Sequence, residues 1–210
     1  MTEDDQRRQA AREVLFCETI LRKTGDTVLL DVLRGAGDMT VWQHYPPGDV
    51  FDPESGAQWY YHAHPEPGMA GEHGHFHCFL RPDGREGPVH HLVAVGVDAH
   101  GRLLRLFTVN QWVVGDTWLS AEETITLLPR FDVQLGRPSY LANRWLTGVL
   151  RLYGPEIAEL IRKRDRRIET WREKMPAAEV REDRALEVTS ELAVNLDETT
   201  RTLLADQGPL

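Results

Sequence analysis

Five of the nine histidines in this chain fall within the twenty residues YYHAHPEPGMAGEHGHFHCF, as His62 and His64, then His73, His75 and His77. Neutral imidazole is a good ligand for zinc, iron, copper and nickel, and it is also the side chain best suited to moving protons near neutral pH. Spacing decides whether the five rings can act together. In a β-strand alternate residues point to the same face, so His62 and His64 share one face, and His73, His75 and His77 share another. A hairpin closed by the intervening segment would set His64 opposite His73, His62 opposite His75 and Tyr60 opposite His77. One face would then gather the five histidines with Tyr60 and Phe79. The other would gather Trp59, Tyr61, Phe76, Cys78 and Leu80. A slip of one residue mixes the two sets, so the hydrophobic pattern selects this register.

Directly opposed Cβ atoms lie roughly 4.5–5.5 Å apart, close enough for imidazole nitrogens to converge on one ion at the roughly 2.0–2.1 Å bonds of zinc. The expectation is a divalent transition metal, zinc or iron, held by His62, His64, His73, His75 and His77 or a subset of them. Glu72 and Glu66 are carboxylates in or beside the connecting loop, and with Tyr60 they are the candidate proton carriers next to the ion. The competing reading is a ladder of hydrogen-bonded imidazoles with no metal. Further along, FTVNQWVVGDTW at 107–118 offers Thr108, Asn110 and Trp112 at period two, a pattern suited to the wall of a small-molecule site. Asn110 and Trp112 are therefore candidate ligand-binding residues. Of the adjacent His90 and His91, one ring at most can reach the histidine face. Ala94 and Gly96 are small, which suits a packed helix or leaves room for a ligand.

The elements that must position these groups follow from the periodicity. The helical part of 4–35 reads as an amphipathic helix over 4–23, with Val14, Phe16, Ile20 and Leu21 near one stripe, then a break at TGD (24–26) and a shorter helix in TVLLDVLRG that ends at Gly35. The period changes to two between 39 and 119, with candidate strands at 39–44, 58–64, 73–80, 90–97 and 103–114. Their connections are too short for helical crossovers, so they form an antiparallel meander. Helical spacing returns over 120–174, opened by the capping box SAEE at 120–123. The expected fold is α+β, with about five strands in an open or curled, barrel-like sheet packed by N- and C-terminal helices. The domain reading is a single unit over 1–176 and a helical extension over 177–210.

Composition narrows the function classes. The net charge of −9 argues against a general nucleic-acid binder, and RKRDRRIETWR at 162–172 reads as a solvated helix face with intrahelical pairs. No run approaches the roughly 20 apolar residues of a membrane helix, and the acidic start MTEDDQRRQA lacks the pattern of a secretory signal. A cytoplasmic protein acting on a small-molecule ligand is the expectation. Two distant cysteines make neither a disulfide framework nor a zinc cluster. Walker A, G-x-G-x-x-G, G-x-S-x-G and H-E-x-x-H are all missing.

The strings HYPPGDVFDPESGAQWYYHAHPEPGMAGEHGHFHCFL, FTVNQWVVGDTW and NRWL resemble an uncharacterised family of bacterial proteins that carries a domain of unknown function. The likeness covers about residues 10–200, and EHGHFH is its most specific part. It implies no activity. The opening H-x-H of His62 and His64 is also similar to the first motif of the cupin oxygenases, although Glu66 comes sooner than the carboxylate of that motif and the next histidines form a close triplet. The functional expectation is a metal-dependent enzyme acting on a small molecule. A non-catalytic metal or ligand binder and a metal-free scaffold are the alternatives.

Overall fold

The computed structural model describes residues 2–64, 71–173 and 177–205. Helix α1 (Glu3–Lys23) begins at a capping box between Thr2 and Asp5, and its buried stripe is Ala10, Ala11, Val14, Cys17 and Leu21. Phe16, expected on that stripe, is instead exposed. The stripe rotates toward small residues because α1 lies directly on helix α5 (Tyr140–Leu152). A Cβ on Gly148 of α5 would sit 2.7 Å from Val14 Cγ2, so only glycine permits this approach. Asp26 and the Thr27 cap separate α1 from the short α2 (Val28–Leu33), at the break expected from TGD.

The sheet is a six-stranded antiparallel meander: β1 (Tyr45–Phe51), β2 (Ala57–Ala63), β3 (Glu72–Leu80), β4 (His90–Asp98), β5 (Leu103–Val109) and β6 (Val188–Ala193), in that spatial order. It stays open, with β1 and β6 as edges, and does not curl into a barrel. The first strand lies at 45–51 rather than 39–44. It contains Pro46 and Pro47, which an edge strand tolerates because a missing N–H there interrupts no ladder. The sixth strand comes from the segment expected to be a helical extension. Residues 177–205 fold instead as α7 (Ala177–Val180), β6 and α8 (Leu196–Ala205). Thr108 Oγ1 meets Thr189 Oγ1 at 2.8 Å and Ser190 Oγ at 2.7 Å, fastening β6 to β5.

Between β2 and β3 the register matches the sequence expectation: Trp59 opposite Cys78, Tyr60 opposite His77, Tyr61 opposite Phe76 and His62 opposite His75. Between β4 and β5 it does not. A tight turn at DAHG would pair Val97 with Arg102 and Val95 with Leu104, but Val97 pairs with Leu103 and, past a bulge between Gly96 and Val97, Val95 pairs with Leu106. The connecting turn is longer than DAHG because the Asp98 carboxylate accepts from the backbone N–H of both His100 and Arg102.

One face of the sheet, with Trp59, Tyr61, Phe76, Cys78, Leu80, Val93, Val95 and Leu106, forms the main core with α1, α5 and α6 (Gly154–Arg172). Trp59 Nε1 donates to Asn143 Oδ1 at 2.9 Å, and Trp145 is fully buried. Burial pushes the Cys78 thiol up from its ordinary pKa, so it is a small core hydrophobe rather than a nucleophile. Helix α4 (Ala121–Leu127) carries the expected capping box of Ser120 and Glu123. The basic run on α6 is largely neutralised in place: Arg162 pairs with Glu122, Arg166 with Glu159, and buried Arg164 pairs with Asp165 while stacking over Trp118.

Candidate metal centre

By strand alternation, the face opposite the core carries His62 from β2, His75 and His77 from β3, and His91 from β4. His62 Nε2 and His75 Nε2 stand 2.8 Å apart, His75 Nε2 and His77 Nε2 3.0 Å, and His77 Nδ1 and His91 Nε2 3.1 Å. All four are buried, His77 completely. His64 follows the end of β2, and its ring centroid lies 5.1 Å from that of His62 and 4.8 Å from that of His75.

A bulge at the start of β3 decides which groups join them. Glu72 pairs with Asp98 and Gly74 with Val97, so His73 is the extra residue. The bulge turns His73 to the core face, where its Nδ1 meets the Tyr61 hydroxyl at 2.6 Å with the rings nearly parallel. A Cβ on Gly74 would lie 2.4 Å from the same hydroxyl. His73 therefore leaves the set of ligands expected from simple alternation. The same bulge brings Glu72 onto the histidine face, where its Oε1 lies 3.0 Å from His75 Nδ1.

Glu72 is almost fully buried and is clamped by Arg105, whose Nε donates to Oε2 at 2.5 Å and whose Nη2 reaches Oε1 at 3.3 Å. Arg105 Nη1 also donates to Glu191 Oε2 on β6 at 2.7 Å. Burial opposes ionisation of Glu72, yet the hydrogen bonds from His75 and Arg105 hold its carboxyl below the usual value. An ionised carboxylate accepts only, so His75 Nδ1 must carry the proton and His75 Nε2 presents its lone pair toward His62. Gly96 lies opposite His75, and a Cβ there would come within 2.4 Å of Glu72 Oε2. Gly96 thus makes room for this clamp, while Ala94 packs with Phe107 and Val109. Phe107 meets His75 edge-on at 4.9 Å between centroids, while the Arg105 guanidinium lies 4.1 Å from the Phe107 centroid.

The imidazoles are held neutral. Burial drives His62 down to about 3, helped by the neighbouring His75 and His64. Burial also lowers His64, lowers His75 against the pull of Glu72, and puts His77 well below the ordinary value. Neutral rings with free lone pairs are the ligand form of histidine. One ring nitrogen each from His62, His64 and His75 lies within 4.8 Å of the others. Two nitrogens on one zinc can stand at most about 4.2 Å apart, so a small side-chain adjustment brings all three onto one ion. His64 Nε2 is buried without any hydrogen-bond partner, a cost that an ion would remove. The Glu72–His75 hydrogen bond is the carboxylate–histidine arrangement that orients metal ligands. The group fits a divalent transition metal.

The remaining candidates sit as follows. Tyr60 is on the histidine face, stacked on His44 with centroids 3.6 Å apart and 5.2 Å from the His77 ring. Its phenol is raised, first by burial and then by the Asp49 charge, which favours its protonated form. Glu66 lies outside the described residues. The strand expected over 103–114 ends at Val109, where Asn110 caps the short α3 (Gln111–Val114). Asn110 Nδ2 donates to Val180 O and Trp112 Nε1 to Leu186 O, so their polar groups hold the chain that leads into β6 instead of facing a ligand. A cavity of about 620 Å³ opens elsewhere, between α1, the β4–β5 turn and the β6–α8 junction, and is lined by none of the candidate ligands.

Sequence reasoning missed Arg105, although its place in LLRLF, a charge at an inward position between apolar residues, was a signal that a buried anion waits for it. Of His90 and His91 it allowed one ring on the histidine face without saying which, and it allowed His44 to be brought over the sheet from the turn before β1. Both join the histidine face, His91 through His77 and His44 through Tyr60.

A family model described as Domain of unknown function (DUF6969) matches residues 8–194. The chain belongs to this family. No curated protein and no solved structure matches it. The match spans all six strands, so the histidine face lies wholly within the DUF6969 domain.

Proposed function

We propose that the protein is a metal-dependent enzyme that binds a divalent transition metal, zinc or iron, through His62, His64 and His75 and acts on a small molecule. The observation that carries this reading is the triad itself: three mutually adjacent neutral imidazoles, one fixed in tautomer by a buried carboxylate. Three protein nitrogens leave a coordination position open, the pattern of catalytic rather than structural sites. A bound ion of this kind polarises an oxygen ligand and lowers the pKa of water. Around it, Glu72 and Arg105 keep His75 oriented, His62 and His64 complete the triad, and the buried aromatic surround of Tyr60, Phe79 and Phe107 limits water. A second reading rests on His77, whose Nε2 is 3.0 Å from His75 Nε2. If that ring supplied a fourth ligand, the shell would close and the protein would store or sense the metal.

Elemental analysis of the purified full chain tests the reading. Stoichiometric metal in the wild type, lost in the His62→Ala/His75→Ala variant, is the expected result. A cobalt-loaded protein whose visible spectrum changes with azide would show an exchangeable position. Absence of stoichiometric metal would leave the interaction scaffold as the better account. A cobalt spectrum indifferent to azide would favour the closed, non-catalytic site.

A further inference from the structure

The segment before β1 crosses the histidine face in an unusual conformation. Gln43 N donates to Thr40 O, closing a turn whose third residue is Trp42, and Trp42 has φ +65°. That position ordinarily takes glycine or asparagine, because a bulky side chain in left-handed backbone is disfavoured. Asp49, within β1, also has positive φ. Trp42 N–H is anchored to Ala63 O at 3.1 Å, between the two β2-end histidines. Its indole meets His62 edge-on at 5.7 Å and lies 4.5 Å from His64. Even so, 55% of Trp42 remains exposed. The neighbouring His44 is stacked on Tyr60 and fixed by Asp49 Oδ1 at 3.0 Å from its Nδ1.

A large aromatic side chain held in strained backbone, touching two of three candidate ligands yet left mostly in solvent, contributes little to the core. Strain of this kind concentrates at functional sites. His64 is the least buried member of the triad, and Trp42 stands against it, so the approach to the ion runs along the indole. We propose that Trp42 is a stacking platform that selects substrates carrying a planar aromatic ring beside their metal-binding group. This inference rests on the metal reading above. The indole supplies an offset or edge contact to the ring of the substrate, while the polar group of the substrate reaches the open coordination position.

Two hydroxamates test it, since acetohydroxamate and benzohydroxamate share the same chelating head and differ only in the ring. In cobalt-loaded full-length protein, benzohydroxamate is expected to bind about three- to tenfold more tightly than acetohydroxamate. Trp42→Gly, which suits the turn, is expected to abolish that advantage without changing acetohydroxamate affinity. Trp42→Phe is expected to retain most of it. Equal binding of the two probes by the wild type, or an advantage that survives in Trp42→Gly, overturns the inference while leaving the metal reading intact. Failure to load cobalt removes the metal reading and this inference with it, whereas cobalt loading with neither hydroxamate bound overturns this inference and favours the closed, non-catalytic metal site. A Trp42→Gly protein that loses acetohydroxamate affinity equally would show that the indole supports the ligands rather than the substrate, and would also overturn the inference.

Discussion

Replacing Glu72 by Gln keeps the shape of the buried side chain but removes its charge, and the structure gives the size of the effect. Breaking a buried ion pair by removing one partner costs roughly 3–5 kcal/mol when the other charge is left uncompensated. Arg105 is not wholly abandoned, because Glu191 Oε2 remains 2.7 Å away and the Arg105 side chain is 15% exposed. Gln can still accept one hydrogen bond, so the cost should fall to about 2–3 kcal/mol. At about 2–4 °C per kcal/mol for a chain of this size, the apoprotein should melt about 4–12 °C lower. The amide can also donate to His75 Nδ1, which frees the ring to take the wrong tautomer. Loss of such an orienting carboxylate weakens metal binding by roughly 10–100-fold. Urea unfolding of the apoprotein followed by tryptophan fluorescence reads the first effect, and cobalt titration reads the second. A variant whose stability stays within about 0.5 kcal/mol of wild type, or whose cobalt affinity stays within about twofold, would refute the assignment of Glu72 as the residue that fixes His75.

Gly96→Ala drives a methyl group into Glu72 Oε2; cobalt affinity should drop about tenfold through the displaced carboxylate, and unchanged titration curves would show the clamp to be unimportant. His73→Phe should leave cobalt stoichiometry and affinity unchanged, because the bulge points this ring at Tyr61, and should cost about 1 kcal/mol in urea unfolding for the orphaned hydroxyl. His91, which touches His77 but none of the triad, is held neutral by burial down to about 3. The unfolded chain protonates it below about 6.5, so stability should fall as pH falls, by about 1.4 kcal/mol per unit between about 6.5 and 3. Urea unfolding of the apoprotein across that window should give a steeper pH dependence for wild type than for His91→Gln, and parallel profiles would contradict a buried neutral His91.

The legible part of the site was the part governed by alternation. Residues 58–63 and 75–80 set Trp59, Tyr61, Phe76, Cys78 and Leu80 on the parity opposite to the histidines, with only Tyr60 and Phe79 among the aromatics on the histidine side. One register therefore buries the first set and clusters the second, and His62 opposite His75 followed from that. His73 and Glu72 exchanged faces because a bulge adds one residue without any mark in the local composition except Gly74, whose crowding against Tyr61 is visible only in three dimensions. Strand β1 was hidden by Pro46 and Pro47, which read as a turn and sit instead on an edge. Strand β6 was hidden because VTSELA is short and polar inside a segment with helical spacing on both sides. Asn110 and Trp112 kept the period of β5 on paper, but the Asn110 side chain caps a helix and ends the strand. Local patterns see neighbours along the chain; the Glu72–Arg105–Glu191 series joins residues far apart in it.

That series has a consequence for how the protein is made. Arg105 is held on its outer side by Glu191, which belongs to the edge strand farthest along the chain. A ribosome delivers β2 and β3, with every imidazole of the triad, long before it delivers β6. During that interval the guanidinium has only half of its anchorage, and the carboxylate it steadies is correspondingly loose. Under the metal reading proposed above, a polypeptide that ends before residue 193 would carry the rings with Arg105 lacking its Glu191 partner, and so without the full scaffold of a tight trap.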